Sequence, residues 1–159
     1  MSELSIATQQ ETTILWDQKI NLVLTDQEEL IGNLALVIAI YEKCWFKATD
    51  RDINDYLGKC LSLKERQSNE IMSTVVSSKT FSSIKNSLFV TLYPASQQAD
   101  DIVKDLSDEQ LVMFCRAQEN SLLKSYEKMI EFGDRSHRSV LIKQLGESRR
   151  QIHRGSQFL

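Results

Sequence analysis

Asp108-Glu109-Gln110-Leu111-Val112-Met113-Phe114-Cys115-Arg116-Ala117-Gln118-Glu119-Asn120-Ser121-Leu122-Leu123-Lys124-Ser125-Tyr126-Glu127 is the stretch on which the fold turns. Leu111, Val112, Cys115, Leu122, Leu123, Tyr126, Met129 and Ile130 recur at helical spacing and form one apolar face. Ser107 stands where a cap is needed, and Asp108-Glu109-Gln110 fills the first turn, close to a capping-box pattern. Gly133, after Glu131-Phe132, suits the C′ position. The spacing predicts a helix over 108–132. Glu119 falls inside its apolar arc, between Cys115, Leu122, Leu123 and Tyr126. A carboxylate there must be paired, protonated or bound to a cation, because burying it bare is very costly. It reads either as a metal ligand in a bundle core, or as a core Glu satisfied by Tyr, Arg or Lys from a neighbour or by water at a splayed helix end.

Working outward, the chain has 159 residues with one Pro and five Gly, too few punctuators for many short strands. Apolar residues make up 42% and charged residues 26%, enough for a packed core. Thr25 or Asp26 caps a first long helix, with Leu30, Leu34, Val37, Ile38, Tyr41, Cys44, Trp45 and Ala48 on one face. Leu36, Ile40 and Phe46 lie outside that stripe, and a helix apolar nearly all round is covered on more than one side. The cover is expected from the N-terminal arm or from a second subunit. A second long helix starts near Asp52 and carries Ile53, Tyr56, Leu57, Cys60, Leu61, Ile71 and Val75. Lys64, Gln67 and Ser68 make the middle of that face polar, which marks either a buried site or, the favoured reading, a bundle edge. A fourth helix is expected from about Ser136 to beyond His153, with Leu141, Leu145, Ser148 and Ile152 inward.

Between the second and third long helices lie roughly 30 residues, far more than the 2–8 that join antiparallel neighbours. The stretch holds a break at Ser77 to Thr80, a short helix ending near Pro94, and another short helix over 96–106. A long middle connection joins parallel helices in ferritin-like bundles. The chain therefore divides into an arm or short helix, 1–25, and an all-α four-helix bundle of ferritin-like type, 26–159.

Several function classes are set aside. The net charge is −3, and apart from Arg149 to Arg154 no basic cluster would neutralise phosphates, so nucleic acid is not an expected partner. The most apolar run, Leu34 to Tyr41, is far short of the roughly 20 residues of a membrane span. Met1-Ser2-Glu3 does not open a signal peptide. Cys44, Cys60 and Cys115 lie far apart in apolar helical contexts and read as buried reduced thiols of a cytoplasmic protein. There is no Gly-rich phosphate loop and no Gly-x-Ser-x-Gly.

The stretch from Asp108 to Glu127 resembles a bacterial ferritin-like four-helix-bundle family of unknown function. Its third core helix has the form Asp-Glu-x-Ile-Leu-x-x-Cys-x-x-Gly-Glu-Asp-x-x-Leu-Lys-x-Tyr-Glu. Thinner similarity extends to Leu30-Ile31, Tyr41, Glu70-Ile71, Ser83 to Tyr93, Gln144 and His153. The resemblance implies that inward-facing Glu and His on the core helices hold a di-metal centre, with Glu119 and His153 at matching positions. Other ligand positions depart from the pattern. Ile38 stands at the acidic position of the first helix, Arg150 replaces the Glu of a Glu-x-x-His pair, and the second helix offers Glu65 and Glu70 but no His. Glu119 and His153 then read as the remnant of a metal site, with Arg150 as a cation able to neutralise Glu119. The expectation is a non-catalytic interaction or stress-associated module, with no cofactor and a homodimer formed through the first helix. The alternative is a divergent iron or manganese oxidoreductase.

Overall fold

The first long helix begins at Thr25 because Thr25 and Glu28 each satisfy the other's open backbone amide. In the computed structural model, which describes residues 25–75 and 95–159, α1 spans Asp26–Lys47. Thr25 Oγ1 accepts from the Glu28 amide at 3.2 Å, and the Glu28 carboxylate accepts from the Thr25 amide in return. The second helix, α2, spans Arg51–Thr74, and its cap is Asp50, whose carboxylate accepts from the Asp52 and Ile53 amides at 3.0 Å. The third, α3, spans Asp108–Phe132 behind the expected Ser107–Gln110 capping box. The fourth, α4, spans Arg138–Gly155, entered by a 3₁₀ turn at Arg135–His137 and left by another at Ser156–Phe158. Residues 95–103 form a further helical segment, and no strand occurs among the described residues. The expected arm and the short helix ending near Pro94 lie outside the described residues, apart from Thr25.

Side-chain pairs set the directions of the helices. Asn33 meets Ser125, Tyr41 meets Glu119 and Asp108 meets Thr49, so α1 and α3 are antiparallel. Tyr56 meets Gln151, Lys64 meets Ser148 and Glu70 meets Gln144, so α2 and α4 are antiparallel too. Because α1 also turns back into α2 through the short link after Lys47, α2 and α3 run the same way. The Gln27 side chain reaches the Val75 carbonyl, while the Asp108 carboxylate accepts from the amides of Thr49 and Asp50. Val75 and Asp108 thus lie by opposite ends of α1, about 33 Å apart at the α-helical rise. The segment from Ala95 to Lys104 runs beside α1, where Lys43 pairs with Asp100 at 2.5 Å and Lys47 donates to the carbonyls of Val103 and Lys104.

That segment explains the apolar breadth of α1. Leu36, Val37 and Ile40 are buried together with Ala95, Ala99 and Val103 in the core that also holds Leu57, Leu111 and Leu122. Trp45 and Phe46 stay outside, 41% and 88% exposed. Gly133 ends α3 at a negative φ. It needs no left-handed backbone; glycine is required because a Cβ would collide with the Met129 carbonyl oxygen. No described helix is long and apolar enough to cross a membrane.

Candidate functional site

Midway along the four long helices the apolar core is interrupted by a polar layer to which all four contribute. On α2, Ile53, Leu57, Cys60, Lys64, Gln67 and Ile71 follow alternating steps of four and three, so all six face the core and all are buried. On α3 the same logic buries Cys115, Gln118, Glu119, Leu122 and Tyr126, and on α4 Leu141, Gln144, Leu145 and Ser148.

Lys64 and Glu119 are both 0% exposed, with Lys64 Nζ 3.1 Å from Glu119 Oε2. Tyr41 on α1 donates its hydroxyl to the other oxygen, Oε1, at 2.8 Å. The Lys64 ammonium also donates to Gln67 Oε1 at 2.8 Å and to Ser148 Oγ at 2.7 Å. Its pull on Glu119 Oε2 is that of an ion pair at contact distance, without a well-directed hydrogen bond. Gln67 donates to the Gln144 carbonyl and Ser148 Oγ, each at 3.2 Å. Gln144 answers by donating to the Gln67 carbonyl at 3.2 Å and to Glu70 Oε1 at 2.8 Å, and it accepts the Tyr126 hydroxyl at 2.6 Å.

The electrostatics follow from burial. Loss of water pushes the Glu119 carboxyl above its ordinary value, and the Lys64 charge and the Tyr41 hydroxyl pull it back only in part. Burial, reinforced by the Glu119 charge, pushes the Tyr41 hydroxyl up as well. Buried ion pairs survive when geometry and further hydrogen bonds offset desolvation, and here the cation has two neutral acceptors besides its carboxylate. Tyr126→Phe is expected to leave Gln144 Oε1 without its phenolic donor and to lower stability by about 1–3 kcal/mol. A urea titration checks this, and an unchanged midpoint would contradict it.

Of the two residues singled out from the sequence as metal ligands, the structure buries Glu119 and turns His153 to solvent on α4. The two are not brought together. Arg150 is exposed as well, so the cation beside Glu119 is Lys64, and the favoured bundle-edge reading of Lys64 and Gln67 is corrected to a buried site. Glu65 is exposed, and Glu70 reaches only the rim, through Gln144 and Lys143. A di-metal centre needs several anionic or imidazole donors at one depth. Around Glu119 that layer holds an ammonium, two amides and three hydroxyls, a donor set that does not fit two metal ions. No group of three or more His, Cys, Asp or Glu able to hold a metal forms among the described residues. The legible signal for Lys64 was its spacing, four residues after Cys60 and three before Gln67. Comparison with known protein families, curated proteins and solved structures finds no match.

Proposed function

We propose that this chain is a ferritin-like four-helix bundle in which the Lys64–Glu119 ion pair stands where a di-metal centre would, and that it serves as a non-catalytic interaction module. The observation that carries the reading is the fully buried ammonium 3.1 Å from the Glu119 carboxylate. A cation supplied by the chain itself makes the carboxylate stable without metal. The ferritin-like part is supported by topology: α2 and α3 run parallel, with a long stretch of sequence between them, as in bundles of that type. Protein purified without chelator is expected to hold far less than stoichiometric iron or manganese by elemental analysis. Near-stoichiometric metal, lost on Glu119→Ala, would overturn the reading in favour of a metal-binding oxidoreductase.

The surface available to a partner is the end of α1 where Trp45 and Phe46 stand exposed, beside a groove of about 700 Å³ lined by Lys43, Lys47, Asp100 and Val103. The expected occupant is a second copy of the chain. Glu42 and Lys104, of opposite sign, border this groove without an ion-pair partner among the described residues, and a two-fold arrangement would pair each with the other's counterpart. In sizing by light scattering the wild type is expected to be a dimer and Trp45→Ala/Phe46→Ala a monomer. A monomeric wild type would refute this assembly while leaving the account of the core intact.

A further inference from the structure

The three cysteines, far apart in sequence, are free and buried on three different helices. The register of α1 against α3 is fixed by Asn33 donating to Ser125 at 2.5 Å, Tyr41 donating to Glu119 at 2.8 Å, and Asp108 accepting from the Thr49 and Asp50 amides. In an antiparallel pair, one turn forward on one helix meets one turn back on the other. One turn on from Tyr41 is Cys44, and one turn back from Glu119 is Cys115. The two thiols therefore face each other across the interface, and after burial Cys44 is the foremost influence on the Cys115 thiol. Cys60 also acts on the Cys115 thiol, but less than Cys44 does, and its own sulfur is engaged: it accepts from the Gln151 amide at 3.5 Å and lies beside the Tyr56 and Tyr41 hydroxyls.

We propose that Cys44 and Cys115 form a redox pair that closes into an intramolecular disulfide between α1 and α3 when the protein meets a hydroperoxide. One thiolate attacks a peroxide oxygen, the O–O bond breaks, and the departing hydroxide takes a proton and leaves as water. The sulfenic acid that remains is attacked by the second sulfur; the S–O bond breaks, the S–S bond forms and a second water leaves. Two thiols and one hydrogen peroxide give one disulfide and two waters, with two electrons passing from sulfur to oxygen. Burial keeps the Cys115 thiol protonated well above its ordinary range, so the thiolate is scarce and reaction waits on local opening of the interface. Such a pair responds to sustained oxidation and ignores brief exposure. Once formed, the bond ties α1 to α3 one turn from the Tyr41–Glu119 contact and closes a long loop, which restricts the unfolded chain.

The test uses the full reduced chain, freed of reductant and treated with hydrogen peroxide, then quenched in denaturant with an alkylating reagent and mapped as unreduced peptides by mass spectrometry. The expected product is a Cys44–Cys115 cross-linked peptide with Cys60 alkylated. It should accumulate faster as pH rises, and its formation should raise the denaturation midpoint until dithiothreitol reverses it. Cys60→Ser should give the same cross-link, and Cys44→Ser should leave Cys115 free of any disulfide. Alkylation of all three cysteines, a cross-link through Cys60, or only chain-to-chain disulfides would each overturn the proposal. Because the map is made on the wild-type protein, a variant that fails to fold does not spare it.

Discussion

Lys64→Met is expected to lower the free energy of unfolding by about 3–5 kcal/mol at neutral pH, the cost of leaving a buried charge without its partner. The substitution keeps roughly the volume of the side chain and removes the charge next to Glu119, which is 0% exposed. Ser148 Oγ and Gln67 Oε1 lose their donor at the same time. The effect should depend on pH in a definite direction. Glu119 already titrates above its ordinary value of 4.5 because of burial, against the pull of Lys64 and Tyr41. A carboxyl raised on folding contributes stability that is fully present below its unfolded pKa and is lost as pH rises through the folded one. Without Lys64 the folded value climbs further, so the gap between variant and wild type should widen from pH 4 to pH 8. Urea midpoints measured across that range check it. A gap independent of pH would mean that Glu119 does not carry the charge that Lys64 balances.

Leu122→Ala is the second large effect, an expected loss of about 2–5 kcal/mol. Leu122 is fully buried on α3, one turn beyond Glu119 and one turn before Tyr126. The transfer energy of the lost side chain accounts for part of the cost, and the rest depends on how far the neighbours collapse into the space. The site gives a second readout. A cavity beside a polar layer is wetted more readily than one among Leu and Ile alone, and water reaching Glu119 would lower its raised carboxyl value. The stability of Leu122→Ala should therefore vary less with pH between 4 and 8 than that of the wild type, besides being lower throughout. Denaturation at the two ends of the range separates the two effects, and a loss below about 1 kcal/mol would contradict the burial of this side chain.

What the sequence made legible is local, and what it hid is mostly non-local. Ser107 with Gln110, and Thr25 with Glu28, announce helix starts within four residues, and the structure forms both capping boxes. Glu119 could be placed in the core because its own helix supplies the apolar arc around it. Lys64 could not be placed so easily, because its partner is 55 positions away on another helix. A lysine is almost never fully buried unless it is paired, so a polar middle in an apolar stripe reads first as an exposed edge. The regular placement of Lys64 and Gln67 between Cys60 and Ile71 pointed the other way.

His153 shows the opposite failure. It stands near the depth of Glu119 along α4, but the turn of the helix sends its side chain outward. Depth along a helix is read more safely from sequence than direction when the residue lies beside the inner stripe. The apolar breadth of α1 is also legible, and besides the arm or second subunit expected from the sequence the described residues supply a further source of cover. Much of the cover comes from residues 95–103, whose Ala95, Ala99 and Val103 are small enough to pack closely beside α1. The large apolar side chains of α1 that stay exposed are Trp45 and Phe46.

The central claim is that α2 and α3 are joined at the core by one charge pair. A double-mutant cycle of Lys64→Met and Glu119→Leu, read as unfolding free energies in urea at pH 7, tests it most directly. Each single variant strands a buried charge, while the double variant replaces the pair by apolar side chains that the surrounding core accepts. The account predicts that both single variants are strongly destabilised, that the double variant regains most of the loss, and that the coupling energy is about 2 kcal/mol or more. A double variant whose loss is the sum of the two single losses, with no coupling, would contradict it.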